Sequence, residues 1–151
     1  MNEFKTVDDI LDFAILQEEA AAEFYTELAE RADRPEMREA FEDFAEEENS
    51  HKKKLMSLKK GKTFKLADEK VADLRIGDYL PDVAFLPDMD FQEALILAMK
   101  KEKAAFRLYH DLAEQATDRN ARTVFLTLAM EEAKHKLRFE LEYDEHYLAE
   151  N

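Results

Sequence analysis

The two halves of the chain repeat one another, and this duplication limits the fold more than any other feature of the sequence. Glu18-Glu19-Ala20-Ala21 aligns with Glu102-Lys103-Ala104-Ala105 at an offset of 84 residues, and no gap is needed. The same offset aligns Tyr25 with Tyr109, Leu28 with Leu112, Phe41 with Phe125, Glu47-Glu48 with Glu131-Glu132, and His51 with His135. Because one repeat unit cannot bury its apolar face alone, we predict a duplicated helical hairpin.

Glycine and proline are scarce, with two and three residues, which favours long helices over sheet. Capping signals divide the chain into four long helices. Thr6 caps a first helix that runs to about Ala32, and Pro35 begins a second that runs to about Lys60 and is stopped by Gly61. Asp90 with Glu93 opens a third helix that runs to about Ala116. Thr117 or Asp118 caps the fourth, which runs almost to the C-terminus. A short helix is predicted near 68–74. The prediction is an all-α four-helix bundle with a single domain over 1–151, hairpins at about 7–60 and 91–149, and a long crossover connection at about 61–90.

The composition excludes several classes of function. The 151 residues suit one domain with its own core. The absence of cysteine excludes disulfides, thiolate catalysis and iron–sulfur clusters. A formal net charge of −14 repels nucleic acid and anionic membrane, and no apolar run is long enough to span a bilayer. Residues 1–10 are acidic and lack the apolar core of a signal peptide. We therefore expect a cytoplasmic protein that binds neither nucleic acid nor membrane.

Polar residues interrupt the apolar seam of every predicted long helix. Apolar residues recur every three or four positions, as in bundle packing. The interrupting residues are Glu18, Glu48, His51, Glu102, Glu132 and His135. Each glutamate lies about 15 residues from the turn of its own hairpin, which is ~22 Å along a helix at 1.5 Å per residue. Packing the two hairpins together therefore brings all six side chains to one layer.

Four carboxylates buried in one layer cannot all stay ionised without compensation. Two divalent cations would neutralise them, and Glu and His at positions i and i+3 share one helix face and can grip one ion. Ala21 and Ala105 leave room beside them.

Glu47 and Glu131 are alternative candidates, because each lies four residues before a histidine. The heptad phase favours Glu48 and Glu132 as ligands, so we expect Glu47→Ala to have almost no effect on metal binding. Iron, manganese and zinc all suit such a ligand set.

These motifs resemble those of the rubrerythrin branch of the ferritin-like superfamily. The resemblance depends on Glu18-x-x-Ala21-x-x-Phe24-Tyr25, Glu48-x-x-His51 and their copies in the second half. It implies a ferritin-like bundle with two iron ions per chain, which Glu48 and Glu132 bridge. Glu18 with His51 would complete one iron site, and Glu102 with His135 the other. Tyr25 and Tyr109 would donate hydrogen bonds to ligand carboxylates, the alternative being plain core packing.

Two departures from the family pattern affect the expected function. The chain lacks the cysteines of a rubredoxin domain, so electrons must come from a separate donor protein. Ala105 stands where rubrerythrins carry an extra glutamate. The resemblance implies a diiron oxidoreductase that reduces hydrogen peroxide, or that oxidises ferrous iron with oxygen or peroxide. The alternative is a non-enzymatic iron or manganese storage protein. A homodimer is expected.

Overall fold

Four long helices make up the bundle, as the sequence predicts. The computed structural model describes residues 3–81 and 88–148. The helices are α1 Val7–Arg31, α2 Pro35–Gly61, α3 Asp68–Asp73, α4 Phe91–Gln115 and α5 Arg119–Tyr143, with a 3₁₀ turn at Ile76–Tyr79 and a π-helical turn at Asp144–Leu148. Among the described residues, strand-like pairing is limited to one isolated bridge between Glu3 and Arg75. No helix in the described ranges is long and apolar enough to cross a membrane.

Side-chain caps begin three of the long helices. The hydroxyl of Thr6 accepts a hydrogen bond from the amide of Asp9 at 3.0 Å, and the Asp90 carboxylate accepts one from Glu93 at 2.8 Å. Both are capping boxes, because the Asp9 and Glu93 side chains reach back to the cap amides. Of the two candidates before α5, Asp118 is the cap, and it accepts from the Ala121 amide at 2.9 Å. Such caps satisfy amides that the first helical turn leaves without partners.

The end of α2 differs from the prediction by one residue. Gly61 was expected to stop the helix, but it is the last helical residue. Lys62 takes the left-handed conformation instead, with φ 54°, and its amide donates to the Leu58 carbonyl at 3.0 Å. Glycine adopts this conformation without steric cost, whereas a residue with a Cβ does not. The turn therefore places a lysine where a glycine would be less strained.

The hairpins α1–α2 and α4–α5 pack together around a core that has two apolar clusters. One cluster contains Leu11, Leu55, Leu112 and Phe125, and the other contains Leu28, Phe41, Leu95 and Phe139. On every long helix the polar seam residues lie between the two clusters in sequence. The apolar clusters therefore enclose the polar layer from both ends of the bundle.

The connection between the hairpins packs against its own chain where it is described. Val71, Leu74 and Tyr79 are buried in the first apolar cluster, and the Tyr79 hydroxyl donates to Asp111 Oδ2 at 2.7 Å. Residues 82–87 of the predicted connection, and residue 149 at the predicted end of the second hairpin, lie outside the described residues. The contacts of Tyr79 hold the connection against α4, on the side of the bundle where Glu102 lies.

Replacing Lys62 by glycine is expected to stabilise the protein by about 0.5–1 kcal/mol, because it removes the strain of a left-handed lysine. Lys60→Gly, inside the last turn of α2, should instead cost about 1 kcal/mol. Urea unfolding of the two variants beside the parent checks both signs. A loss of stability in Lys62→Gly would contradict the left-handed assignment.

Candidate metal centre

The six polar seam residues lie together between the two apolar clusters. Each is buried, with 3% or less of its surface exposed. Helices α1 and α4 each contribute one glutamate, and α2 and α5 each contribute a glutamate and a histidine one turn apart. The residues are Glu18, Glu102, Glu48 with His51, and Glu132 with His135. The layer predicted from the sequence is therefore present in the fold.

Ligand atoms in this layer form two groups of four that overlap. The first group is Glu18, Glu48, His51 and Glu132, and the second is Glu48, Glu102, Glu132 and His135. Within each group, one ligand atom from every residue lies within 4.8 Å of the others. Because Glu48 and Glu132 belong to both groups, they occupy the positions that bridging carboxylates take in dimetal bundles.

The unpaired polar atoms of the layer fit a metal centre. Within the described residues, each of the six side chains has one buried polar atom without a hydrogen-bond partner: Glu18 Oε2, Glu48 Oε1, His51 Nδ1, Glu102 Oε2, Glu132 Oε1 and His135 Nδ1. These atoms face one another, with His51 Nδ1 3.2 Å from both Glu18 Oε2 and Glu132 Oε1. Buried polar atoms without partners are rare and costly in folded proteins. Coordination of two cations would satisfy all six, so the residues fit the two metal ions that the sequence predicts.

Two further glutamates contact the histidines on the side away from the layer. Nε2 of His51 hydrogen-bonds to the Glu131 carboxylate, and Nε2 of His135 to the Glu47 carboxylate. Both contacts join one hairpin to the other. A carboxylate on the outer ring nitrogen fixes which nitrogen carries the proton and leaves Nδ1 free to bind a metal.

The expectation that Glu47→Ala would be nearly silent does not agree with these contacts. Heptad phase correctly places Glu47 and Glu131 off the seam, but it carries no information about a partner on the opposite hairpin. One sequence signal could have indicated a role, because Glu47 and Glu131 are themselves a repeat pair at the 84-residue offset.

The two buried tyrosines also join the hairpins. Tyr25 on α1 donates its hydroxyl to Glu102 Oε1 on α4, and Tyr109 on α4 donates to Glu18 Oε1 on α1 at 2.7 Å. Each phenol therefore holds the outer oxygen of a predicted ligand and leaves the other oxygen facing the layer. Burial, followed by the charge of neighbouring glutamates, raises the pKa of both phenols well above the usual value. Both tyrosines thus keep their protons and serve as hydrogen-bond donors.

Burial and crowding make the layer hold protons when no cation balances it. Burial, followed by the charges of Glu102 and Glu18, raises the pKa of Glu48 to about 8. Burial also raises the pKa of Glu102 and Glu132. Burial alone would lower the histidine pKa values, but interaction with carboxylates outweighs it and raises the pKa of His51 to about 9 and that of His135 to about 11. Metal binding must therefore displace protons.

A small cavity reaches the layer between α1 and α4. Its volume is about 30 Å³, and its lining includes Glu18, Ala21, Glu102 and Ala105. Because one water molecule needs about 10–15 Å³ on this scale, only very small molecules fit. The half-buried Lys101 also borders it, with Nζ 5.6 Å from the centre of the Phe24 ring. A wider groove of about 460 Å³ on the α2–α5 side reaches His135, Glu47 and Glu131.

An all-helical bundle with two Glu/His groups that share two glutamates defines a ferritin-like diiron-carboxylate protein. Comparison with known families agrees, because the rubrerythrin family model matches residues 9–143. The chain belongs to the rubrerythrin family. A search of curated proteins gives no significant match.

Two solved structures share the fold. A hypothetical protein from Pyrococcus furiosus is 25% identical, with a TM-score of 0.70 over 89% of this chain and 86% of the other. A Thermotoga maritima protein, described provisionally as a ferritin-like diiron-carboxylate protein, is 23% identical, with a TM-score of 0.71 over 97% of this chain and 99% of the other. The second likeness shows the fold alone. The ligand roles of the six layer residues stay predictions, supported by their geometry.

Glu47→Ala is expected to weaken metal binding about tenfold, since loss of a carboxylate partner to a ligating histidine typically costs at least that much. Glu46→Ala is the matched control, because Glu46 is the exposed neighbour of Glu47 in α2. Competition with a chromophoric chelator measures both affinities. Equal affinities for the two variants would support the sequence-based expectation over the structural one.

Metal-free protein is expected to lose stability as pH rises from about 5 to 9. Glu48, with its pKa raised from 4.5 to about 8, binds more protons when folded than when unfolded over that interval, and His51 does so between 6.5 and about 9. Both groups therefore lower the free energy of unfolding as pH rises. Thermal midpoints at several pH values test this, and the metal-loaded protein should show the weaker pH dependence. A metal-free midpoint that rises over this interval would contradict the assigned proton content.

Proposed function

We propose that this protein is a non-haem diiron oxidoreductase that reduces hydrogen peroxide to water with electrons from a separate donor protein. The observation that carries the proposal is the pair of ligand groups that share Glu48 and Glu132. Cleavage of the O–O bond consumes two electrons and two protons and yields two water molecules. Two adjacent centres that each supply one electron match that requirement, whereas one such centre supplies only half of it.

The layer residues divide between two ions in this proposal. Glu18 and His51 would hold one ion, Glu102 and His135 would hold the other, and Glu48 and Glu132 would contact both. A pair of ferrous ions supplies the two electrons and a Lewis-acid surface for the peroxide oxygens. The count of two ions per chain, and iron as the metal, are part of the proposal.

The surrounding side chains keep this ligand set in place. Tyr25 and Tyr109 donate hydrogen bonds to the outer oxygens of Glu102 and Glu18. The centres of the Phe44 and His135 rings lie 4.3 Å apart. These contacts limit rotation of the predicted ligands, and each of the six layer residues has 3% or less of its surface exposed. A water-poor site strengthens electrostatic interactions within it.

The cavity favours a very small oxidant. A volume of about 30 Å³ accommodates a molecule with two oxygen atoms and excludes organic substrates. Lys101 lies at the border of the cavity and places a positive charge beside Glu102. Burial lowers the pKa of the Lys101 ammonium group. The lysine thus offsets part of the negative charge that an approaching polar oxidant meets.

A second candidate function is oxidation of ferrous iron as a substrate, and the α2–α5 groove favours it. The carboxylates of Asp43, Glu47 and Glu131 outnumber the cations of Lys134 and Arg138 in the lining of this wider opening, which leads to His135. Carboxylates at an opening attract divalent cations. A non-enzymatic iron or manganese store would use the same residues without rapid oxidation.

Diferrous protein is expected to react faster with hydrogen peroxide than with oxygen. The test is stopped-flow oxidation of anaerobically loaded protein by each oxidant, after iron analysis has given about two ions per chain. Glu48→Ala and Glu132→Ala are expected to lose paired binding and the fast reaction, because each residue contacts both ligand groups. Glu46→Ala serves as the control for loss of a carboxylate outside the layer.

The possible results separate the three functions. Faster oxidation by oxygen would favour the ferroxidase function, and turnover of added ferrous iron would establish it. Stable binding of two ions with no reaction over minutes would favour storage. Binding of one ion or fewer per chain would contradict the dinuclear centre itself.

A further inference from the structure

The outward side of α5 carries an apolar stripe that the bundle does not cover. Leu126 is 46% exposed, Met130 60%, Leu137 56% and Leu141 53%, and Ala133 is exposed as well. These five residues, here called the outer face of α5, span ~22 Å along the helix at 1.5 Å per residue. Contiguous exposed apolar surface of this kind commonly marks an interaction site.

The internal repeat provides a control for this observation. At the 84-residue offset, helix α2 carries Glu42, Glu46, Asn49, Lys53 and Ser57 at the five equivalent positions, all exposed. Helix α2 occupies the same place in its hairpin and carries the same Glu-x-x-His motif inside. Packing of the bundle therefore does not require apolar residues at these positions, and the outer face of α5 needs another explanation.

The order of residues along the stripe identifies the partner as a second copy. The four large residues of the stripe are symmetric about a point between Ala133 and Lys134: Leu126 mirrors Leu141 and Met130 mirrors Leu137, whereas Ala133 mirrors the exposed Lys134. An antiparallel pair of α5 helices related by a two-fold axis at that point would therefore match large residue to large residue. Ala133 of each copy would lie at the crossing beside Lys134 of the other, and its small side chain permits close approach. Interfaces with two-fold symmetry require such self-complementarity.

Charge along α5 supports the same arrangement. The exposed Arg122 lies before the stripe and the exposed Glu145 lies after it, and the two residues mirror each other about the same point. Two-fold pairing would bring Arg122 of each copy towards Glu145 of the other at both ends of the contact. A parallel arrangement would place like charges together. Exposed opposite charges add specificity of orientation more than affinity.

We propose that the outer face of α5 is a homodimer interface, formed by antiparallel packing of α5 against α5 of a second copy. The two metal layers would then lie on opposite sides of the contact, since Glu132 and His135 face the bundle interior of each copy. This interface is independent of the reaction that the centre performs. It depends only on the surface of one helix.

Cysteine crosslinking tests the geometry, because the chain has no cysteine of its own. Ala133→Cys should form a covalent dimer under mild oxidation or with a short bismaleimide, since a disulfide requires Cα atoms about 4.4–6.8 Å apart. Asn49→Cys, at the equivalent position of α2, is the matched control and should stay monomeric on a denaturing gel. Equal crosslinking of the two variants, or none with either reagent, would overturn the proposal.

Charge placed on the stripe tests its energetic role. Ala133→Glu with Leu137→Glu should raise the dimer Kd about 30-fold or more, as expected for loss of a central apolar contact. Asn49→Glu with Lys53→Glu adds at least as much negative charge at the equivalent positions of α2 and should leave the Kd unchanged. Sedimentation equilibrium measures the Kd, while circular dichroism and metal content check that both variants fold. A parent protein that is monomeric at all accessible concentrations would overturn the interface.

Charge exchange tests the antiparallel orientation. Arg122→Glu and Glu145→Arg should each weaken the dimer, and the double variant should restore it, because the exchange recreates both opposite-charge contacts. Failure of the double variant to recover would rule out this register. A dimer that survives Ala133→Glu with Leu137→Glu would show that another surface pairs the copies.

Discussion

Burial of four carboxylates in one layer is the constraint on which the rest of this structure depends. An ionised group taken out of water costs several kcal/mol even after relaxation, and Glu18, Glu48, Glu102 and Glu132 are all nearly fully buried. The layer must therefore keep protons or bind cations. Its geometry favours cations, because one atom of each of the six layer side chains faces the centre without a hydrogen-bond partner. The apolar clusters on either side provide the stability that lets the fold hold such a site.

The duplication makes the centre a product of both hairpins. Each hydrogen bond that supports the predicted ligands crosses from one hairpin to the other: Tyr25 to Glu102, Tyr109 to Glu18, His51 to Glu131 and His135 to Glu47. Each ligand group likewise draws on both hairpins. An isolated hairpin would contain a Glu-x-x-His motif and a seam glutamate, but it would lack the hydrogen-bond partners that orient them. Metal binding is therefore expected to stabilise the contact between hairpins most directly.

Periodicity was sufficient to predict what lies inside the bundle. The phase of the apolar seam separates Glu48 from Glu47 and places six residues in one layer, because a helix fixes side-chain direction from position alone. The same reasoning could not find the roles of Glu47 and Glu131, since their partners depend on how two hairpins pack. The end of α2 escaped prediction for a local reason: helix ends shift by one or two residues at small cost, and here the strained Lys62 takes the positive φ that was expected one residue earlier. The connection has no strong period, so the contact of Tyr79 with Asp111 could not be foreseen.

The two repeats resemble each other inside the bundle and differ outside it, and this contrast separates two demands on the sequence. Inside, each of the six layer residues and both buried tyrosines have a counterpart at the 84-residue offset, so the two predicted ligand groups are built alike. Outside, α2 presents polar residues where α5 presents Leu126, Met130, Leu137 and Leu141. If α2 carried the same stripe, each chain would expose two apolar surfaces able to bind further copies, and association could continue into an open-ended polymer. In the proposed dimer, a stripe on α5 without a counterpart at the equivalent positions of α2 would close the assembly at two copies. The asymmetry between the repeats is thus consistent with the two-fold dimer proposed above.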